Sequence, residues 1–148
     1  LGTFYLSHPN IKFPQSGSII SVKHCNFSYF EEGVKDYIKY FTNGQNKSSN
    51  YFRYIGSLVS DFHRNMLRGG IYMYPSTEQN PNGKLRLMYE CNPIAFIAEQ
   101  AGGKASNGAM RILDIEPTNL HERTALFCGN SEMIEKIKDF INSVDSIY

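Results

Sequence analysis

Apolar residues recur every three or four positions in four stretches, and each stretch predicts a helix with one face on a core. The first runs from about Val34 to Phe41, with Val34, Tyr37, Ile38 and Phe41 on one face. The second runs from about Gly56 to Leu67 and repeats Ile55, Leu58, Val59, Phe62 and Met66. A third carries Ile94, Ile97, Ala98 and Ala101, and a fourth carries Ile134, Ile137 and Ile141 behind Ser131, an N-cap candidate. Short β-branched and apolar runs predict strands at Ile19–Val22, Ile71–Tyr74, Leu85–Glu90, Ile112–Ile115 and Ala125–Cys128. In the run from Leu85 to Glu90, the alternation turns Leu85, Leu87 and Tyr89 one way and Arg86, Met88 and Glu90 the other. Polar, turn-rich loops are expected at Thr42–Asn50 and Ser76–Lys84. Strands and helices interleave irregularly, which predicts one α/β domain over residues 1–148: a mixed β-sheet flanked by helices on both faces.

Composition narrows the function classes. A formal charge of +1 argues against nucleic acid as a partner. No apolar run is long enough for a membrane span, so no membrane partner and a cytoplasmic location are expected. Cys25, Cys91 and Cys128 are odd in number, widely spaced and outside any zinc-type pattern, which fits a reduced compartment. Aromatic residues make up 14%, and ten of them are tyrosines, suited to a site that hydrogen-bonds as well as packs. The chain begins at Leu1 on "LGTFYLS", which reads as a strand, so an upstream part is expected.

The candidate chemistry is scattered. Glu90 falls where the predicted strand ends, followed by Asn92 as N-cap and Pro93 in the first helical turn. Ligands of open α/β sheets sit outside the carboxyl ends of strands, so Glu90 is placed to meet a metal or a substrate hydroxyl. Equally, a carboxylate at a helix start favours the helix dipole, and spacing by itself favours that structural role. Lys84, after Asn82-Gly83, is either a solvated turn residue or a point-charge phosphate ligand. Arg53 and Tyr54 precede Gly56 and Ser57 at a helix start, an arrangement open to an anion. Tyr72 and Tyr74 share one face of a strand, as packing residues or as phosphate donors. His63 and Arg64 lie late in their helix and read as structural, while Asp61, Asp114 and Glu116 form no cluster. A two-metal centre needs more anionic oxygens than Glu90 supplies.

Three segments are recognisable together: "RYIGSLVSDFHRNMLRGGIYMYPST", "GKLRLMYECNPIAFIAEQAGGKAS" and "ILDIEPTNLHERTALFCGN". They closely resemble the C-terminal half of class I fructose-1,6-bisphosphatase, and the resemblance covers nearly the whole chain. That family hydrolyses fructose 1,6-bisphosphate to fructose 6-phosphate and phosphate in gluconeogenesis, with Mg2+ or Mn2+, usually as a homotetramer. The resemblance implies that Tyr54, Tyr74 and Lys84 bind the sugar 6-phosphate, with Tyr72 and Met73 along the same pocket. It implies that Arg53 reaches a neighbouring subunit's pocket, that the backbone at Ser57 and Leu58 approaches the sugar, and that Glu90 is a metal ligand.

Two departures qualify this expectation. The family's other metal-binding acids and its "DGSSN"-type motif belong to an N-terminal half, and no such motif occurs here. The cation would therefore require ligands from that N-terminal domain, and the chain is expected to be inactive alone. In addition, Lys23, His24 and Cys25 stand where the family has Asn-Glu-Gly, by an ungapped count back from "GVKDYIKYF". Lys23 remains a phosphate-ligand candidate, as a flexible cation rather than a directional amide. The alternatives are a noncatalytic domain that retains the fold, or a phosphatase of a related sugar bisphosphate.

Overall fold

A computed structural model of the chain describes residues 2–43 and 50–145. The polar loop expected over Thr42–Asn50 therefore lies mostly outside the described residues. The main sheet has five strands in the order β2-β1-β3-β7-β5. Strand β1 (Ile19–Ser21) lies parallel to both β2 (Tyr51–Phe52) and β3 (Gly70–Tyr74). Strand β7 (Leu126–Gly129) runs antiparallel to β3 and to β5 (Lys104–Ser106). A separate pair joins β4 (Leu85–Arg86) antiparallel to β6 (Arg123–Thr124).

Alternation along the strands divides two cores. Helices α1 (Glu32–Thr42) and α4 (Ser131–Asp145) cover one face, where Ile20, Ile71, Met73 and Phe127 meet Val34, Ile38, Ile134 and Ile137. Helices α2 (Leu58–Arg68) and α3 (Asn92–Gln100) cover the other, where Tyr72, Leu126 and Cys128 meet Phe62, Met66, Ile94 and Ala98. The mixed sheet with helices on both faces is thus the architecture of the chain. Burial sets the acidity of the two inner thiols: it pushes Cys91 up to about 12, with the nearby Glu90 charge adding, and raises Cys128 as well.

Several local expectations are corrected. The strand predicted at Leu85–Glu90 stops at Arg86, and Leu87–Cys91 is a turn of π-helix leading straight into α3. Pro93 has no N–H to give the Tyr89 carbonyl, so the ladder widens and the Asn92 N–H bonds the Leu87 carbonyl instead. Leu87, Cys91, Ala95 and Ala98 are buried at helical spacing, and that spacing overrides the short alternation. Asn92 is consequently inside the helical run rather than its N-cap.

The strand expected at Ile112–Ile115 is a 3-10 turn over Ile112–Asp114, which buries Ile112 alone. Arg111 bonds Glu99 at 2.7 Å and Asp114 at 2.5 Å around that turn. In α2 the apolar positions Ile55 and Val59 are 69% and 66% exposed, while Asp61 and Asn65 are fully buried. Finally, Gly2–Ser7 forms no strand, and Phe4, Tyr5 and Leu6 are exposed. Ser131 opens α4, but its hydroxyl donates to the Gly102 carbonyl, 3.1 Å away.

Candidate functional site

Because β1 and β3 are parallel, their carboxyl ends open on the same edge of the sheet. After β1 the chain passes Lys23 into a 3-10 turn at His24–Tyr29; after β3 it enters the loop that returns at Lys84. These two segments enclose a cavity of about 200 Å³. Lys23, Asn26, Tyr74, Asn80 and Lys84 supply its polar groups, and Val22, Phe30 and Met73 border it. Among the described residues no carboxylate lines it. Among the described residues neither ammonium has an ion-pair partner. Two cations without an ion-pair partner, with amide donors beside them, give the cavity a charge suited to an anion.

The position of Lys84 follows from the turn before it. Thr77 and Asn80 exchange backbone hydrogen bonds, and the Gly83 N–H donates to the Asn80 carbonyl at 2.9 Å. Gly83 sits at φ +76° against the Thr124 and Ala125 backbone, where a methyl group would overlap both. Strand β4 then pairs with β6, which fixes the chain immediately after Lys84.

Three phenols gather beside this cavity. Tyr72 and Tyr74 point to the α2/α3 side of the sheet, and Tyr54 lies against them. Burial pushes the pKa of Tyr54 and Tyr72 above the ordinary phenol value, and the neighbouring phenols add to the effect. The hydroxyls of Tyr54 and Tyr72 therefore remain protonated. Tyr74 itself lines the cavity, so its hydroxyl is placed to donate there, while Tyr72 is buried.

Asp61, one of the scattered acids of the sequence, holds Tyr54 in place. Its carboxylate is fully buried in the first turn of α2. It accepts the Ile55 N–H at 3.0 Å and the Gly56 N–H at 3.2 Å, and pairs with Arg64 at 2.9 Å. Arg64 Nη2 also donates to the Ser21 hydroxyl at 2.7 Å and to the Arg53 carbonyl at 2.9 Å. Ser21 and Asn65 complete this polar layer, joined at 3.0 Å. Arg64 thus ties α2 to β1 and to the loop carrying Arg53 and Tyr54.

Of the sequence-derived candidates, Lys23, Met73, Tyr74 and Lys84 line the cavity, with Tyr54 and Tyr72 alongside through Tyr74. Arg53 faces a different cavity within this chain. Ser57 is exposed ahead of α2, and Leu58 packs against the α2/α3 core. Asn26, Asn80, Thr77 and Gln79 were not among the sequence-derived site residues, yet they line the cavity. For Thr77, Gln79 and Asn80 the sequence signal is membership of the turn-rich segment Ser76–Lys84, whereas Asn26 directly follows the Lys23-His24-Cys25 run.

Glu90 occupies the π-helical turn, and its Oε2 accepts the Arg86 N–H at 2.7 Å. This is a local helix-start cap. Arg86 Nε donates to the Tyr89 hydroxyl at 3.0 Å, and that hydroxyl shares a hydrogen bond with His121 Nδ1 at 3.0 Å. Among the described residues no group of three His, Cys, Asp or Glu side chains comes together to hold a metal. With one oxygen capped, Glu90 has a single oxygen for a cation, which does not make a metal site by itself. Mg2+ keeps several waters and takes one or two carboxylates together with substrate phosphates, so Glu90 can supply one part of a ligand set and not the whole of it.

The anion cavity at the strand ends, the phenols beside it and the Lys84 turn occupy the segments whose sequence resembles the sugar bisphosphatases. The family model described as "Fructose-1-6-bisphosphatase, C-terminal domain" matches residues 13–142, and the chain belongs to that family.

Proposed function

We propose that this chain is the sugar-phosphate-binding half of a phosphatase that hydrolyses fructose 1,6-bisphosphate to fructose 6-phosphate and phosphate. The cavity lined by Lys23 and Lys84 with no opposing carboxylate carries this reading. A phosphate monoester loses its second proton near pH 6 and is largely dianionic at neutral pH. The two ammonium groups match that charge, and the phenol of Tyr74 supplies a directional hydroxyl, with Tyr54 and Tyr72 next to it. Holding the non-reacting 6-phosphate fixes the sugar, so its binding energy orients the far phosphate for reaction. Lys23 gives this cavity a second mobile cation, which favours a fully ionised phosphate over singly charged anions.

In this reading Glu90 adds one ligand to a Mg2+ or Mn2+ ion held mainly by an N-terminal domain of the same protein. Arg53 acts on a neighbouring subunit of a homotetramer, and the intact enzyme works in cytoplasmic carbohydrate metabolism. Among the described residues no helix is long and apolar enough to cross a membrane.

Calorimetric titration of the chain with fructose 6-phosphate tests the reading. Binding is expected, and Lys84→Ala should weaken it roughly tenfold or more, the loss of one charge-assisted hydrogen bond. Fructose 1,6-bisphosphate with Mg2+ should bind without releasing phosphate. A wild-type chain that ignores fructose 6-phosphate, or binding unaffected by Lys84→Ala, would favour a noncatalytic domain that keeps only the fold.

A further inference from the structure

Beside Glu90 lies a chain of three polar side chains that phosphate binding at Lys84 does not use. Arg86 ends β4, Tyr89 lies in the π-helical turn, and His121 lies in the turn before β6. Backbone contacts fix their relative places. The Leu87 N–H donates to the Glu122 carbonyl at 2.8 Å, and the His121 N–H donates to the Asn119 side chain at 3.0 Å. Arg86 Nε lies 3.0 Å from the Tyr89 hydroxyl, and His121 Nδ1 lies 3.0 Å from the same oxygen. The Tyr89 and His121 rings also meet edge to face, with centroids 6.0 Å apart.

Donor and acceptor chemistry gives this chain a direction. A guanidinium N–H only donates, so the Tyr89 oxygen accepts from Arg86. The phenol has one proton, and His121 Nδ1 is the acceptor it meets among the described residues. A ring nitrogen that accepts carries no proton, so His121 is neutral here, with its proton on Nε2.

A protonated His121 breaks this order. Its Nδ1–H would have to donate to the oxygen that already accepts from Arg86, which sets two cations on one phenol. The carboxylates nearby are engaged elsewhere. Glu90 Oε2 accepts the Arg86 N–H, and Glu122 Oε2 accepts the N–H and the hydroxyl of Thr118. Arg123 stands directly across the β4–β6 ribbon from Arg86, and Lys84 lies just before β4. Among the described residues none of Lys84, Arg86, His121 and Arg123 has a carboxylate partner. Tyr89 and His121 are exposed and Arg86 is partly so, which leaves a released guanidinium open to water.

We propose that His121 is a proton-operated latch on Arg86. The neutral ring holds the guanidinium through Tyr89, and protonation releases it beside the turn that carries Glu90. Imidazoles take up a proton at about pH 6.5 in water, so neutral pH closes the latch and mild acid opens it. The charge that this corner offers to an anion thereby depends on pH.

The test is side-chain NMR of the 148-residue chain at about pH 7.5 and about pH 5. Long-range 1H–15N correlation should find the His121 proton on Nε2 at the higher pH. The Arg86 Nε–H order parameter should fall from the rigid range, about 0.8, to below about 0.6 at the lower pH. Tyr89→Phe should leave it below about 0.6 at both, because the bridging oxygen is gone. His121→Asn keeps an acceptor near the place of Nδ1 but takes up no proton, so Arg86 should stay rigid at both. A proton on Nδ1 at the higher pH, an Arg86 order parameter that ignores pH in the wild type, or one that still follows pH in His121→Asn would each overturn the inference. Fructose 6-phosphate titration reads the Lys84 cavity and none of these signals, so the latch and the phosphate reading stand or fall separately.

Discussion

Replacing Asp61 with alanine separates the polar layer under α2 from everything the apolar cores contribute. The substitution removes the acceptor for the Ile55 and Gly56 N–H groups and the partner of Arg64 at 2.9 Å. Breaking one side of a buried ion pair costs about 3–5 kcal/mol, because the remaining charge keeps its desolvation without its attraction. Here the Asp61 side chain is fully buried while the Arg64 side chain is 23% exposed. Water can reach the guanidinium and the exposed Ile55–Gly56 turn, so the lower end applies, about 3 kcal/mol. For a domain of this size that is a fall in Tm of roughly 6–12 °C. Urea titration should show a lower midpoint at an unchanged m-value, since the surface exposed on unfolding is nearly the same. Released from its anchor, Tyr54 should also lose its place beside Tyr74, and fructose 6-phosphate affinity should fall in the folded variant. A loss of stability below about 1 kcal/mol would refute the assignment of Asp61 as the anchor of this loop, because surface acids cost that little.

Gly83→Ala should destabilise the chain and impair phosphate binding together. The new methyl meets the Thr124 and Ala125 backbone at a positive φ, so the turn must shift and carry Lys84 with it. Circular dichroism melts paired with fructose 6-phosphate titration check this, and unimpaired binding would show that the turn does not set Lys84. Alkaline pH should unfold the chain through its buried thiols. Cys91 rises in the folded state from 9.0 to about 12, and Cys128 rises in the same direction. The folded state therefore holds protons that the unfolded state gives up, so this stability is complete below about pH 9 and is lost as pH climbs towards 12. Cys91→Ala should flatten the stability–pH slope measured by urea midpoints across that window.

Hydrophobic period was enough to place α1, α2, α3 and α4 and the central strands β1, β3 and β7, because each buries a continuous face. The alternation that turned Tyr72 and Tyr74 one way and Ile71 and Met73 the other is what the two cores display. Strands β2, β5 and β6 have two or three residues each and exist through pairing with distant chain. Their local sequence carries too little pattern to declare them.

At the candidate site, residue types and the family were readable from the chain, whereas their grouping was not. Lys23 and Lys84 are far apart in sequence and meet only because β1 and β3 run parallel and discharge their loops on one side. In the sequence Asp61 belongs to no cluster; the fold buries it, because the N–H groups of Ile55 and Gly56 and the Arg64 charge need an acceptor. Around Glu90 the local signals split: the helix-start role that spacing favoured is the one the structure shows, while the strand end was misplaced. A short alternation suggested a strand end, but burial at helical spacing from Leu87 and the missing N–H of Pro93 make a π-turn, and Glu90 caps the Arg86 N–H within it. Sequence by itself determined the helices, the faces of the central strands and the family, since those depend on period and residue order. Tertiary structure alone decided which charges share a cavity and which are spent on holding the backbone, since burial and pairing across the sheet are properties of no single segment.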